Sequence, residues 1–378
     1  MRIGIDIRCL MHSLFSGISE YTYNLVINLL ALDHENEYVL FYNSAQATAA
    51  PKFNARNVTV KEFQYPNKLF NLSMRFIGRP RVDQLIGGVD AFIIPNFLFL
   101  RLSPQVAKLL IVHDLTFELY PEFFTFKKRL WHTLIGPKIF CDQADTIVAI
   151  SENTKQDLMT LYQTDPKKIT VINPGVSDAF FEPIPEAELS RVSNTYRLPK
   201  KYILSLGNLE PRKNVSGLID AFESITDLET ELLIAGGNAW MYKKLYRQAQ
   251  ASKKKNKIRF LGYVDAADKP ALYKLATIFA YPSFYEGFGL PPLEAMAVGT
   301  PVVTSASSSL PEAVDSAGLL VNPYNTNELT NALQSLLSAP TLALMLSQAG
   351  QAQVRKFRWR QQAQLIHQEI LKLKKGVK

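Results

Sequence analysis

Short apolar runs alternate with longer stretches of helical period along most of this chain, and the alternation occurs twice. No other feature restricts the fold as much. Short apolar strands separated by helix-length segments build parallel sheets with crossover helices. In the first half the predicted strands are Ile3–Ile7, Glu37–Tyr42, Val58–Phe63, Ala91–Pro95, Lys108–Val112, Thr146–Ile150 and Thr170–Asn173. Helices are predicted near Ile18–Leu32, Phe126–Cys141 and Glu152–Tyr162. The pattern restarts at Tyr202–Leu206 and continues through Glu231–Ala235, Lys257–Leu261, Thr277–Tyr281, Pro301–Thr304 and Gly318–Val321. Its helices are expected at Val215–Ser224, Met241–Ala251, Pro270–Lys274, Leu290–Val298, Asn327–Ser338 and Leu342–Arg355.

The expected fold class is therefore α/β, with two Rossmann-like doubly wound domains whose strand ends face a central cleft. A length of 378 residues fits two domains. The first spans residues 1–180 and the second 201–358. The stretch Gly175–Lys201 carries Pro183, Pro185 and Pro199, so a linker is placed at 181–200. A last helix, from about Trp359 to Lys374, shows Ala363, Leu365, Ile366, Ile370 and Leu371 as an apolar stripe that must dock somewhere.

Composition narrows the class. With 47% hydrophobic and 20% charged residues, the chain falls outside the disordered, collagenous and membrane-spanning classes. Cys9 and Cys141 are too few for a disulfide framework or a four-cysteine zinc site and read as small buried hydrophobes in a reducing compartment. Asp6 interrupts what would have to be the apolar core of a signal peptide, so a cytoplasmic location is expected.

The net charge of +8 is uneven: residues 359–378 hold five basic residues against one acidic, and residues 50–110 hold nine against three. Around Lys68–Arg81 the cations interleave with Phe70, Leu72, Met74, Phe76 and Ile77. That pattern fits an amphipathic segment on an anionic membrane surface, and equally a solvated face beside the core. Nucleic acid is the weaker reading, because no helix-turn-helix, zinc or RNP pattern accompanies the charge.

Two strand-loop-helix junctions carry most of the chemistry. In Tyr281–Val303 (YPSFYEGFGLPPLEAMAVGTPVV) a strand ends, a loop presents Glu286 and Gly287, and Gly289 leads into a helix with prolines at its first positions. Small residues let backbone amides approach a ligand, and the helix tip carries roughly half a positive charge, so the junction suits phosphates. Glu294, one turn into the helix, can accept hydrogen bonds from the vicinal hydroxyls of a ribose. Taken singly, Glu286 reads as a helix cap and Glu294 as a solvated residue; the flanking glycines and prolines favour the functional reading. The second junction, Gly207–Asn214 (GNLEPRKN), places Arg212 and Lys213 after a strand, where the pair can neutralise a leaving diphosphate without metal. There is no Asp-x-Asp pair, Walker loop or Gly-x-Gly-x-x-Gly after a strand, so metal, ATP and NAD chemistry are demoted. In the first half, LLIVHD puts His113 and Asp114 at a strand end, and SGISEY offers Gly17 at a helix start.

These motifs together resemble the retaining glycosyltransferases of the GT-B fold, specifically family 4 (group 1), over nearly the whole chain. The resemblance rests on EGFGLPPLEAMAVGTPVV with its E-x7-E spacing, GNLEPRKN, FLGYVDAADKPALY, IVHDLTFELYPEFF, VAISENTKQDL, VINPGV, SSLPEAV and the late FRW. It implies a nucleotide-diphosphate sugar donor held mainly by the second domain. Arg212 and Lys213 match the diphosphate cations, and Glu294 matches the ribose residue. Glu286, Gly287, Phe288, Gly289 and Leu290 match the loop over sugar and phosphates, and Gly262, Tyr263 and Val264 match the loop against the base. His113 matches the first-domain histidine near the donor sugar, and Gly17 matches the glycine loop at the reaction centre. The helix at 360–378 is expected to cross back onto the first domain. The chain departs from the family at that glycine loop, reading Ser16-Gly17-Ile18-Ser19 where Gly-Gly-x-Gly is common.

The implied activity is retaining, metal-independent hexosyl transfer, with His113 and Glu286 orienting the sugar and no cofactor. SGISEYTYNL and HDLTFELYPEFF look most like bacterial polysaccharide mannosyltransferases, which favours GDP-mannose as donor and a lipid-linked saccharide acceptor at the inner face of the cytoplasmic membrane. Two alternatives share the donor site: a synthase or epimerase acting on soluble sugars, and a sugar-nucleotide-binding subunit without activity.

Overall fold

The structure is a computed structural model that describes residues 1–11, 17–45, 51–237, 239–240 and 242–376. The chain forms two compact units. One consists of Met1–Leu119, Phe126–Gly175 and Trp359–Lys378; the other consists of Tyr120–Thr125 and Val176–Arg358.

The first unit is built on seven parallel strands: β1 (Arg2–Asp6), β2 (Glu37–Asn43), β3 (Val58–Phe63), β4 (Ala91–Ile94), β5 (Ala107–Val112), β6 (Thr146–Ala149) and β7 (Ile169–Val171). Their spatial order is β3-β2-β1-β4-β5-β6-β7. Central strands are apolar on both faces, as helices packed on both sides require: Ile3, Ile5, Val39, Leu40, Phe41, Leu109, Leu110 and Ile111 are fully buried. At the edge, β3 alternates and stays largely exposed. The strand order reverses between β1 and β4, the switch point where ligands of such sheets bind.

Three features of this unit bear on the expectations. The basic stretch folds into a helix, Asn67–Leu72, continued by a π-turn, Ser73–Ile77. The long helix expected at Phe126–Cys141 is two helices, Phe126–Ile135 and Pro137–Gln143, because Gly136 sits at φ 71° and Pro137 cannot continue a helical ladder. The terminal helix, Trp359–Gly376, packs against the helix Gly17–Leu32 through Trp359, Ala363, Ile366, Ile370 and Leu373. Leu365 and Leu371, assigned to the stripe from sequence, are 43% and 38% exposed. The buried seam advances by alternating steps of four and three, which keeps one face on its partner; Leu365 and Leu371 lie outside it. Gly175 makes room for the start of this helix: a Cβ there would stand 2.5 Å from the Trp359 backbone.

The second unit carries six parallel strands, β8 (Tyr202–Leu206), β9 (Glu231–Ala235), β10 (Ile258–Gly262), β11 (Ile278–Tyr281), β12 (Val302–Ser305) and β13 (Leu319–Val321), in the order β10-β9-β8-β11-β12-β13. Tyr202, Ile203, Leu204, Phe279 and Ala280 line its buried centre. Residues 181–200, expected as linker, contain the helix Glu186–Tyr196, which belongs to this unit. Val192 is buried there, and Arg191 and Tyr196 both bind Asp268. Among the described residues no single helix is long and apolar enough to cross a membrane.

Candidate functional site

In the second unit the order reverses between β8 and β11, which pair in parallel register. The loops that follow these strands, Gly207–Asn214 and Pro282–Gly289, therefore leave the sheet side by side at its carboxyl edge. Phe284 donates its backbone amide to Arg212 O at 2.9 Å, tying one loop to the other.

This juxtaposition builds a compact charge cluster. Arg212 Nη1 donates to Glu286 Oε2 at 2.6 Å and to the Tyr285 carbonyl at 3.0 Å. Lys213 Nζ donates to Glu286 Oε1 at 2.7 Å and also to the Tyr281 hydroxyl. On its other side, Arg212 donates Nε and Nη2 to Glu210 Oε1 at 3.0 and 2.7 Å. Glu210 and Glu286 are both buried. Two cations thus face two carboxylates, and the cluster is formally neutral. Burial alone would raise the Glu286 carboxyl, but Arg212 and then Lys213 outweigh it and hold the pKa at about 2. Lys213 is lowered, first by burial and then by the neighbouring Arg212, against the pull of the carboxylates.

The sequence placed Arg212 and Lys213 as adjacent cations at a strand end, suited to a diphosphate. In the folded chain Glu286 is their counter-ion, and Glu210 is a member of the site that the sequence reading overlooked. The signal was present, since Glu210 stands two residues before Arg212 in GNLEPRKN. Tyr281 could not be found that way, because its hydroxyl meets Lys213 only through strand pairing.

The helix Leu290–Ala297 begins as expected, with Gly289 as its N-cap. Gly289 has φ 125°, and a Cβ would approach Leu310 Cδ2 to 2.9 Å, so only glycine fits. Pro291 and Pro292 lack amide hydrogens, which leaves Gly289 and Leu290 as the amide donors of the tip. That is a narrower anion cradle than a full helix start. The loop is fixed by serines: Ser308 Oγ accepts the Glu286 amide at 2.9 Å, and Ser309 Oγ donates to the carbonyls of Glu286 and Phe288 at 2.8 and 2.9 Å. Gly287 and Phe288 are buried within it. Glu294 is buried, and its Oε2 accepts from the Tyr273 hydroxyl at 2.8 Å, so it is no solvated helical residue. Gly262 ends β10 at φ 75°, followed by half-exposed Tyr263 and buried Val264. A close backbone crossing anchors this edge: a Cβ on Gly236 would lie 1.9 Å from Gly207 O.

The first unit contributes a different kind of chemistry. His113 directly follows β5, and its Nε2 lies 2.8 Å from Pro95 O. A carbonyl only accepts, so Nε2 carries the proton and Nδ1 is left as an acceptor. Burial lowers the pKa, so the ring is neutral at physiological pH. The Tyr21 ring meets His113 edge-on at 4.8 Å and Trp359 at 5.1 Å, bringing the helix Gly17–Leu32 and the terminal helix to this strand end. Asp114 has a structural role, since its Oδ1 caps the Thr116 amide at 2.9 Å. Gly17 is exposed at the start of its helix, and Ser19 is buried with its hydroxyl donating to Cys9 O at 2.8 Å. Ser16 lies outside the described residues. The Cys9 and Cys141 thiols are both pushed up to about 12 by burial, which makes them poor nucleophiles. Among the described residues no group of three or more His, Cys, Asp or Glu side chains is placed to hold a metal ion.

Comparison with known proteins bears on both units. The family description "Glycosyltransferase Family 4" matches residues 15–180, and "Glycosyl transferases group 1" matches residues 187–353. The O-antigen chain mannosyltransferase B of Escherichia coli is 33% identical over 251 residues; the match spans 65% of this chain and 65% of that protein's length. Among solved structures, sucrose-phosphate synthase from Thermosynechococcus elongatus superposes with a TM-score of 0.79 at 20% identity, covering 99% of each chain. Anabaena Alr3699/HepE in complex with UDP and glucose superposes with a TM-score of 0.74 at 19% identity, covering 98% of this chain and 100% of that one.

Proposed function

The chain belongs to the family 4, group 1 glycosyltransferases and has their two-domain Rossmann-like fold, and from that premise we propose that it moves a hexose from a nucleotide-diphosphate sugar to a saccharide with retention of configuration. Mannose from GDP-mannose is the favoured donor; the similarity to an O-antigen chain mannosyltransferase supports the choice of sugar. The acceptor proposed is a lipid-linked saccharide in surface polysaccharide synthesis, met at the inner face of the cytoplasmic membrane; the relative's O-antigen chain supports the polysaccharide part of this reading.

The observation that carries the reading is the meeting of Arg212, Lys213 and Glu286 at the carboxyl edge of β8 and β11. On donor binding the diphosphate takes up hydrogen bonds from the two cations, and Glu286, released from part of that pairing, accepts from the sugar hydroxyls. His113 Nδ1 accepts a further hydroxyl. The acceptor oxygen then attacks the anomeric carbon on the face from which the phosphate oxygen departs. The acceptor's proton passes to that departing oxygen, so no side chain serves as nucleophile. The cations and the Gly289–Leu290 amides stabilise the charge left on the diphosphate. Glu294, set by Tyr273, holds the ribose hydroxyls, and Gly262–Val264 flank the base.

The test is a panel of nucleotide sugars assayed for hydrolysis and for transfer to saccharide acceptors. GDP-mannose is expected to be turned over, with full activity in excess chelator. A strict requirement for added divalent metal, or turnover confined to soluble phosphosugar acceptors, would overturn this reading.

A further inference from the structure

The first unit holds a hollow at the carboxyl edge of its sheet, the edge that also carries His113. It lies where Arg8 follows β1, Asn43 ends β2 and Asn96 follows β4, three strands adjacent in the sheet and meeting at its switch point. Its volume is about 570 Å³, inside the range of roughly 300–1,000 Å³ typical of small-molecule sites. Four asparagines reach it: Asn43, Asn67, Asn71 and Asn96. Asn43 is buried and committed, for its Nδ2 donates to the Tyr65 carbonyl at 3.0 Å and to Asn67 Oδ1 at 2.7 Å, and its Oδ1 accepts the Tyr65 amide at 2.9 Å. It thereby orients Asn67, whose own amide nitrogen has no partner among the described residues. Asn71 stands one turn further on the same helix face, and its side-chain amide has no partner among them either. Asn96 Oδ1 accepts the Phe97 amide at 2.8 Å, which leaves its nitrogen to donate. Trp131, 37% exposed, adds an aromatic wall held edge-on to Phe99 at 6.3 Å.

Free charge is what the hollow lacks. Among the described residues its lining has no Asp, Glu or Lys, and its one cation, Arg8, is engaged within the fold. Arg8 donates Nε and Nη2 to Asp6 at 3.0 and 2.6 Å, and Nη2 also to the Phe99 carbonyl at 2.9 Å. The segments that follow Met11 and Ala45 in sequence, residues 12–16 and 46–50, contain no Lys, Arg, Asp or Glu. Side-chain amides both donate and accept, as sugar hydroxyls do, and an indole face suits the apolar face of a pyranose. An anion entering here would lose hydration without gaining a counter-ion.

We propose that this hollow sets acceptor specificity by charge: it takes an uncharged terminal sugar, with Asn67, Asn71 and Asn96 reading the hydroxyls and Trp131 lying against the ring, and it rejects a terminal sugar that carries a carboxylate or phosphate. The inference rests on the proposed glycosyl transfer and adds to it the residues that choose the acceptor.

The experiment measures transfer from GDP-mannose by the full chain to oligosaccharides ending in mannose, glucose, galactose or N-acetylglucosamine, and to the same series with the terminal C6 oxidised to a carboxylate. At least one uncharged terminus is expected to serve, with its uronate poorer in kcat/KM by roughly tenfold or more. Asn71→Ala should raise the acceptor KM roughly fivefold, as loss of one hydrogen bond does, and Trp131→Ala roughly tenfold through lost apolar contact, the KM for GDP-mannose staying in place. Asn71→Lys, which brings in a cation without a counter-ion, should shift the preference towards the uronate, an effect that a merely structural role would not produce. Should Trp131→Ala fail to fold, the two Asn71 variants, at a half-buried position, decide alone. Uronates used as well as the uncharged sugars, or a preference unmoved by Asn71→Lys, would overturn the specificity assignment while the glycosyl transfer stands. Donor hydrolysis with no transfer to any member of the series would overturn it too. If GDP-mannose is not turned over at all, the reading of the activity falls, and this inference falls with it.

Discussion

The two units place their functional groups at equivalent positions, the carboxyl edge of a parallel sheet near its switch point, yet fill them with opposite chemistry. The second unit sets two largely buried cations against two buried carboxylates; the first has one such pair, Arg8 on Asp6 at the end of β1, and offers beside it a neutral imidazole and aromatic rings. The difference teaches how each edge meets water. A buried cation survives only beside an anion, so the second unit must carry Glu210 and Glu286 with Arg212 and Lys213. In the first unit Asp6 is matched by Arg8 in the same way, while His113 needs no counter-ion because it is uncharged.

The sharpest way to break the comparison is to remove the central anion. Glu286→Gln leaves Lys213 without its carboxylate and Arg212 with Glu210 alone, both cations largely buried, and should cost about 3 kcal/mol of unfolding free energy, read by denaturant titration. The pH dependence has a definite sign. The Glu286 carboxyl lies at about 2 when folded against 4.5 ordinarily, so its contribution is complete above pH 4.5 and is lost as pH falls from there towards 2. The Gln variant should lack that acid limb; an unchanged limb would place the acid sensitivity elsewhere.

Next in size are the cations. Lys213→Ala and Arg212→Ala should each lower turnover by roughly one to three orders of magnitude through lost stabilisation of the leaving diphosphate, measured as kcat and kcat/KM. Near-normal kinetics in both would dissolve the site. The smallest effect belongs to the first unit. His113→Gln, which loses a neutral hydrogen bond worth about 1 kcal/mol, should cost roughly fivefold. With its pKa lowered by burial, His113 takes up no proton at physiological pH, so the rate profile should show no histidine limb near 6.5. A loss as large as that of Lys213→Ala would erase the asymmetry between the units.

Much of the fold was legible because strands and helices declare themselves locally. Tyr202–Leu206 and Glu231–Ala235 were placed from sequence to the residue, since short apolar runs bounded by polar ones have little choice. Elements inside mixed stretches were harder to read. Asn67–Leu72 mixes two asparagines and one lysine with apolar residues without a clean period, and the break at Gly136 turns on a single positive φ. The terminal helix was recognised, but the choice of Leu373 over Leu365 and Leu371 depends on the surface it meets.

By itself the sequence determined which residue types stand at each strand end: Arg212 and Lys213 after β8, Glu286 before a proline-started helix, His113 after β5. Those placements follow from spacing within short motifs, where the backbone allows few conformations. Only the tertiary structure decided that Arg212 and Glu286, 74 residues apart, share a hydrogen bond, that Tyr281 and Glu210 complete their cluster, and that Asn43, Asn67 and Asn96 meet around one hollow. The reason is physical: which strand lies beside which is fixed by the burial of whole sheets, and no local spacing records the outcome.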